Sequence, residues 1–176
     1  PGSGGKPLNY PVRRQEFALK RKAETDSLTG LLNRDSFLKA LAEELRNSAK
    51  SGTRVSVMMM DLDKFKQVND THGHISGDRV LKAVSSVLKS VLRQEDAVAR
   101  IGGDEFAAIL PNTDCKEAAV IADRILAAAG RKAVTLDTQV TIPLKLSIGI
   151  CDDSARTTAD EMLKHADLAM YQAKSC

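Results

Sequence analysis

Cysteine is scarce in this sequence: Cys115, Cys151 and Cys176 are odd in number and far apart. No CxxC pair occurs, so neither a disulfide framework nor a thiolate zinc site is indicated. No uninterrupted apolar run is long enough to span a bilayer, and no signal-peptide pattern opens the chain. Net charge is only +3, too little for a general nucleic-acid binder, although a local basic site for an anionic small molecule stays open. A Gly-rich ATP loop is also missing. Gly4, Gly5 and Lys6 are followed by Pro7, where a phosphate loop requires Ser or Thr, which argues against a phosphate-transfer kinase. No internal repeat or low-complexity tract is visible. These absences lead us to expect a cytoplasmic domain with no direct contact to membrane or nucleic acid, which could still belong to a longer, membrane-anchored protein.

At 176 residues the chain suits one domain, and 43% hydrophobic residues suffice to fill its core. Residues 1–12 read as a tag or linker. Residues 13–25 are charged and helix-permissive around Phe17, Ala18 and Leu19, as expected of a signalling helix entering the domain from something upstream. The domain proper, 26–176, alternates helical and strand patterns. Phe37, Leu38, Leu41 and Leu45 have helical spacing, and Gly52 follows as a stop. Residues 54–63, RVSVMMMDLD, read as a strand with an apolar middle on both faces, hence central in a sheet. Val80, Leu81, Val84, Val87, Leu88, Val91 and Leu92 form one helical stripe. DAVARI and EFAAIL read as short strands joined by a Gly-Gly turn. Asp114 with Glu117 forms a capping-box pattern before a helix ending near Gly130, and Thr158 with Glu161 forms another before a helix running towards Lys174. Between these helices KAVTLD and VTIPLKLSIGI supply strands, with Pro143 marking a bulge or an edge. The order predicts a mixed α+β domain with helices packed on a central sheet.

The chemistry gathers where acids stand beside apolar strands. Asp61 and Asp63 lie two apart at the carboxyl end of the MMMD strand, so period two puts both on one face. Asp104 and Glu105 follow the Gly-Gly turn. If that hairpin pairs beside the strand, Asp61 and Asp104 approach each other, and two close carboxylates repel unless a positive charge lies between them. Hard oxygen ligands then favour Mg²⁺ over zinc. The plainer alternative is that each acid is a solvated loop charge, and an exposed Gly-Gly hairpin is ordinary.

The next segment reads DKFKQVNDTHGHISGD (63–78). Lys64 and Lys66 could contact phosphates. Asn69 could donate to and accept from a base edge, and Asp78 could accept from guanine N1–H and its amino group. Taken singly, Asn69 reads as a turn residue, and Asp78 as dipole compensation in the first turn of the long helix, worth about 0.3–1 kcal/mol. Metal acid, lysine, amide and acid in succession suggest a nucleotide site. His72 and His74 lack a third nitrogen or sulfur ligand nearby, so no metal site is assigned to them.

Residues 102–106 read GGDEF, and here the chain resembles the GGDEF domains, the diguanylate cyclases. The resemblance extends beyond the pentad. A-x-x-D-x-L-T-G-L-x-N-R appears as AETDSLTGLLNR (23–34), and D-x-D-x-F-K-x-x-N-D as DLDKFKQVND (61–70), followed by GH at 73–74 and GD at 77–78. SIGI stands at 147–150, and the closing A-D-x-A-M-Y-x-A-K at 166–174. The resemblance covers residues 23–176 in order. It implies the palm-like fold of nucleotidyl cyclases and polymerases, a mostly antiparallel sheet flanked by helices. It also implies condensation of two GTP molecules into cyclic di-GMP with release of two pyrophosphates.

By the same resemblance, Asp61 and Asp104 bind Mg²⁺, or Mn²⁺ in its place, with the Leu62 carbonyl as a backbone ligand. Glu105 lies near the ions and the reacting hydroxyl, and Asp104 is the usual proton acceptor. Asn69 and Asp78 recognise guanine, with His74 nearby. Lys66 and Lys174 neutralise the triphosphate, and Gly102 and Gly103 let the backbone approach it. Each domain holds one GTP, so the product requires an antiparallel homodimer. Arg93 and Asp96 give R-x-x-D at the family's spacing, which resembles an inhibitory site for the product. There Arg93 can reach guanine O6 and N7 with two donors, the plain alternative being a surface ion pair worth ~0–1 kcal/mol.

Two departures stand out. Family members usually continue past A-K with two residues and G-R-N, whose arginine helps hold the terminal phosphate. This sequence ends at Cys176, so the domain is expected to be truncated at its C-terminus. His72 stands where the family usually shows an aromatic. Some GGDEF domains sit beside a cyclic di-GMP phosphodiesterase domain and only bind GTP or support dimerisation. A non-catalytic GTP- or cyclic di-GMP-binding module is therefore the alternative expectation, and a purely structural dimerisation domain a third.

Overall fold

The computed structural model describes residues 23–137, 139–153 and 157–174. The expected tag or linker at 1–12, the 13–25 helix before Ala23, and Cys176 lie outside the described residues. In chain order the elements are α1 (Arg34–Ser51), β1 (Val55–Leu62), α2 (Phe65–His72), α3 (His74–Val91), β2 (Ala97–Arg100), β3 (Glu105–Pro111), α4 (Cys115–Gly130), β4 (Ala133–Thr135), β5 (Thr141–Pro143), β6 (Leu146–Asp152) and α5 (Ala159–Lys174). Among the described residues no helix is long and apolar enough to cross a membrane.

Helix ends follow their capping residues. Asn33 accepts from Ser36 N–H at 3.0 Å at the start of α1. Gly52, at φ 71°, closes the helix in the left-handed region, where only glycine is unstrained. Asp114 and Glu117 cap each other reciprocally at 2.8 and 3.0 Å, and Thr158 and Glu161 do the same at 3.3 and 2.9 Å. Loss of such a cap costs about 0.5–2 kcal/mol.

The main sheet has the order β2-β3-β1-β6, with every adjacent pair antiparallel. β1 is buried at all its positions because it is paired on both sides and covered on both faces. Its alternate residues serve two cores. Met58, Met60 and Leu62 join Phe106 and Leu110 against α3 and α4, through Val84, Leu88 and Ile125. Val55, Val57 and Met59 join Ala107 and Ile109 against α1 and α5, through Phe37, Leu41, Met162 and Met170. Each such side chain, fully buried, stabilises the fold by about 1.5–3 kcal/mol.

VTIPLKLSIGI divides at Pro143, the residue expected to mark a bulge or an edge. β5 ends there and pairs with β4 in a separate two-stranded ribbon, whereas β6 starts at Leu146 and pairs with β1. Proline has no N–H to continue a ladder, so the chain leaves the ribbon at that point. The segment before α1 leans on the hairpin: Leu32 donates to Val98 O at 3.0 Å and accepts from Arg100 N–H at 2.9 Å.

Candidate active site

The hairpin does pair beside the acidic strand. Asp61 is directly opposite Glu105 in the ladder, and Leu62 N–H donates to Asp104 O at 3.1 Å. On the other flank Asp61 faces Ser147. Asp63 N–H donates to Lys145 O at 2.9 Å, and Ser147 Oγ donates to the Asp63 carboxylate at 2.8 Å. Two neighbouring strands therefore hold the acids on a rigid end of β1.

Asp61 is 8% exposed and lies on the α5 side of the sheet. Lys174 Nζ, at the end of α5, lies 2.5 Å from Asp61 Oδ1. Burial pushes the Asp61 carboxyl above its ordinary value; the Lys174 bond opposes this, and the charges of Asp104 and Asp63 add to it. Glu105 is also raised, first by burial and then by Asp167, Asp61 and Asp104, with Lys174 again opposing. Several carboxylates near one another, with the Lys174 ammonium on Asp61, favour a further cation that can enter.

The signature turn is braced from behind. Arg100 donates to Gly103 O through Nε at 3.1 Å and Nη2 at 2.8 Å. Its Nη1 reaches the Asp26 carboxylate at 3.2 Å. Asp26 also accepts from Thr29 N–H at 2.9 Å and Thr29 Oγ1 at 2.7 Å. The DSLT segment and the GGDEF turn are thus one hydrogen-bonded unit. Gly102 makes room for its neighbour: a Cβ there would come within 2.7 Å of Glu105 Oε2. Gly103 faces open space.

A second cluster forms where α2 meets α3. Asn69 lies on α2 rather than in a turn, half-buried, and its Oδ1 has no hydrogen-bond partner among the described residues. Gly77 on α3 faces it so closely that a Cβ would collide with Asn69 Oδ1. Asp78 follows Gly77. The helix begins at His74, so Asp78 sits a turn further in than expected, and the first turn carries no acid. The macrodipole fades within that first turn, so dipole compensation does not account for Asp78. His74 is exposed at the helix start, and Lys66 is exposed in the first turn of α2.

Beside the acids lies a cleft of about 760 Å³ bordered by Asp63, Lys64, His72, Lys145, Ser147 and Lys174, among others. It brings Lys174 together with Lys64 and Lys145, and Lys66 is not on its wall. Arg93 and Asp96 stand apart, at the turn leading into β2. Arg93 N–H donates to Asp96 Oδ2 at 2.7 Å, while Asp96 Oδ1 is buried with no partner among the described residues. Burial raises the Asp96 carboxyl against the pull of Arg93.

Asp61, Asp104 and the Leu62 carbonyl are hard oxygen donors on adjoining strand ends, a set that fits a divalent cation such as Mg²⁺. Among the described residues no group of three His, Cys, Asp or Glu side chains is placed to hold a metal ion by itself. Arg100, Gly77, Ser147, Lys145 and Asp167 were not singled out in the sequence. Four of them stand inside or beside motifs quoted above, Arg100 just before GG, Gly77 in GD, Ser147 in SIGI and Asp167 in the closing A-D, and that placement is the signal that could have found them. Nothing local marks Lys145.

Comparison with known proteins follows the same pattern. The sequence profile described as "Diguanylate cyclase, GGDEF domain" matches residues 23–176. A cyclic di-GMP phosphodiesterase, NbdA of Pseudomonas aeruginosa PAO1, is 39% identical over 162 residues, 90% of this chain and 20% of that protein. The diguanylate cyclase TpbB of Pseudomonas aeruginosa UCBPP-PA14 is 39% identical over 163 residues, 91% of this chain and 37% of its own length. The chain thus spans well under half of either curated relative. The crystal structure of the GGDEF domain of DgcB from Caulobacter crescentus in complex with c-di-GMP superposes with a TM-score of 0.83 at 30% identity, covering 87% of this chain and 91% of that one.

Proposed function

Because the chain belongs to the GGDEF domain family, we propose that it is a diguanylate cyclase, joining two GTP molecules into cyclic di-GMP and releasing two pyrophosphates. The observation that carries this reading is the convergence of Asp61, Asp104 and Glu105 at the ends of the two inner strands, with the unpartnered acceptor of Asn69 in the adjoining segment.

In each of two condensations, a ribose 3′ oxygen forms a bond to the α-phosphorus of the other GTP. The bond from that phosphorus to the bridging oxygen breaks, and pyrophosphate leaves with the electron pair. Asp61, Asp104 and the Leu62 carbonyl would hold Mg²⁺, with Mn²⁺ as a substitute, and a bound ion would supply positive charge at the attacking oxygen and the departing pyrophosphate. Asp104 accepts the hydroxyl proton, and Glu105 flanks the same oxygen. Asn69 and Asp78 accept from the guanine edge, His74 lies beside them, and Lys66 and Lys174 neutralise the triphosphate. Gly102 and Gly103 keep the turn bare on the phosphate side. One domain holds one GTP, so two copies meet face to face in a homodimer. Arg93 and Asp96 bind the product and slow its formation.

The test is incubation with GTP and Mg²⁺ at high protein concentration, with chromatographic separation of nucleotides and Asp104→Ala as control. Cyclic di-GMP from the parent and none from the variant is the expected result; equal product from both overturns it. The similarity to NbdA, a protein named as a phosphodiesterase, favours a second reading, a nucleotide-binding GGDEF module that regulates an adjacent phosphodiesterase domain. GTP bound without turnover would select that reading.

A further inference from the structure

Lys174 is the wall between two sites of opposite charge. On one side its ammonium lies 2.5 Å from the Asp61 carboxylate. On the other it lines the cleft that also carries Lys64 and Lys145. Taking the cyclase reading as its basis, we propose that Lys174 is a placeholder cation. It neutralises Asp61 while the site is empty, then leaves it to become the third lysine of a polyphosphate cleft.

The acidic side explains why a placeholder is needed. Asp61 is buried, faces Glu105 across the ladder and adjoins Asp104 at the turn, where Leu62 N–H donates to Asp104 O. Like charges set this close repel unless a cation lies among them. Lys174 is that cation in the described structure. A lysine suits the task because its charge is a compact point on a flexible stem and can change partners.

The basic side explains where it goes. Among the described residues Asp63 is the one acid lining the cleft, and its carboxylate already accepts from Ser147. Lys64 and Lys145 together exceed it in charge. A third ammonium there is unfavourable until an anion arrives, so Lys174 rests on Asp61. A divalent cation on the carboxylates and a polyphosphate in the cleft each draw Lys174 the same way. The position of the lysine is set by α5, which crosses β6 at Gly149, where a side chain would strike the backbone of Ala166 and Met170.

Titration calorimetry of the nucleotide-free protein tests this, with Mn²⁺ alone and with inorganic tripolyphosphate alone. Lys174→Met removes the competing charge. Mn²⁺ should bind it about tenfold more tightly than the parent, while tripolyphosphate should bind it more weakly. Unchanged or weaker Mn²⁺ binding by this variant overturns the placeholder. Lys145→Ala should leave Mn²⁺ binding unaltered and weaken tripolyphosphate; unaltered tripolyphosphate binding overturns the cleft assignment. Should Lys174→Met fail to fold, the Lys174 ammonium resonance of the parent provides the answer, since it should shift on addition of Mg²⁺ and a static resonance overturns the proposal. None of these readouts needs turnover. A parent that makes cyclic di-GMP while Lys174→Met binds Mn²⁺ no better sinks the placeholder and leaves the cyclase reading intact.

Discussion

Gly149 on β6 lies so close beneath Met170 on α5 that a Cβ would meet the helix backbone. This contact sets the height of α5 over the sheet, and one helical turn beyond Met170 stands Lys174, at Asp61. Gly149→Ala must therefore push the helix away or distort the strand. We expect a loss of about 1–3 kcal/mol, typical of overpacking, in denaturant melts. GTP affinity should fall as well, because Lys174 moves with its helix. A variant with parental stability and affinity would show that the crossing has slack.

Gly77 and Asn69 form a second close pair, on α3 and α2. Gly77→Ala should displace the Asn69 side chain and reproduce the defect of Asn69→Ala, a raised KM for GTP. Losing one hydrogen bond to the base should cost about 1–3 kcal/mol, roughly 5- to 150-fold in affinity. Steady-state kinetics of both variants checks the equivalence; a silent Gly77→Ala would place the guanine elsewhere.

Asp26 carries a pH prediction. Burial works to raise its carboxyl, but the two Thr29 bonds and Arg100 outweigh it and hold it below its ordinary value of 3.8. A depressed carboxyl adds stability that is fully present above the unfolded value and is lost as pH falls through the folded one. Asp26→Asn should therefore destabilise the protein at neutral pH, by about 1.5 kcal/mol given partial solvent exposure. It should also flatten the fall in stability below pH 3.8. Parallel parental and variant curves of stability against pH through the acid range would contradict this.

Arg93→Ala should leave basal synthesis unchanged and abolish inhibition by added cyclic di-GMP. Asp96→Ala should act in the same direction, because its buried Oδ1 has no partner among the described residues to replace a ligand. Inhibition curves at fixed GTP make the measurement, and parental inhibition of both variants would remove this site from the scheme.

Most of the fold is legible along the chain because it rests on short-range rules. Apolar residues on both faces of VSVMMMDL mark a central strand, and the observed β1 is buried throughout. The pairs Asp114–Glu117 and Thr158–Glu161 mark helix starts, and both caps form. The Gly-Gly turn marks the hairpin that delivers Asp104 and Glu105 beside β1. Periodicity, capping and turn chemistry each need only a few neighbouring residues, so a linear reading captures them.

The meeting of distant groups is another matter. Asp78 shifted by a helical turn because the α2–α3 joint at Gly73 depends on how two helices pack. Pro143 is legible as a bulge or an edge, but the passage of the chain there from one sheet to the other depends on pairing partners far along the sequence. The approach of Lys174 to Asp61, of Asp167 to Glu105, and of Arg100 to Asp26 has no counterpart in local pattern. Spacing pointed to Asp61, Asp63, Asp104 and Glu105 as a candidate cation site, and the resemblance to the GGDEF domains supplied further candidate residues. Strand register, the close crossing at Gly149 and the burial that follows from them settled which of those charges meet, because electrostatic coupling depends on distance through space and on exclusion of water.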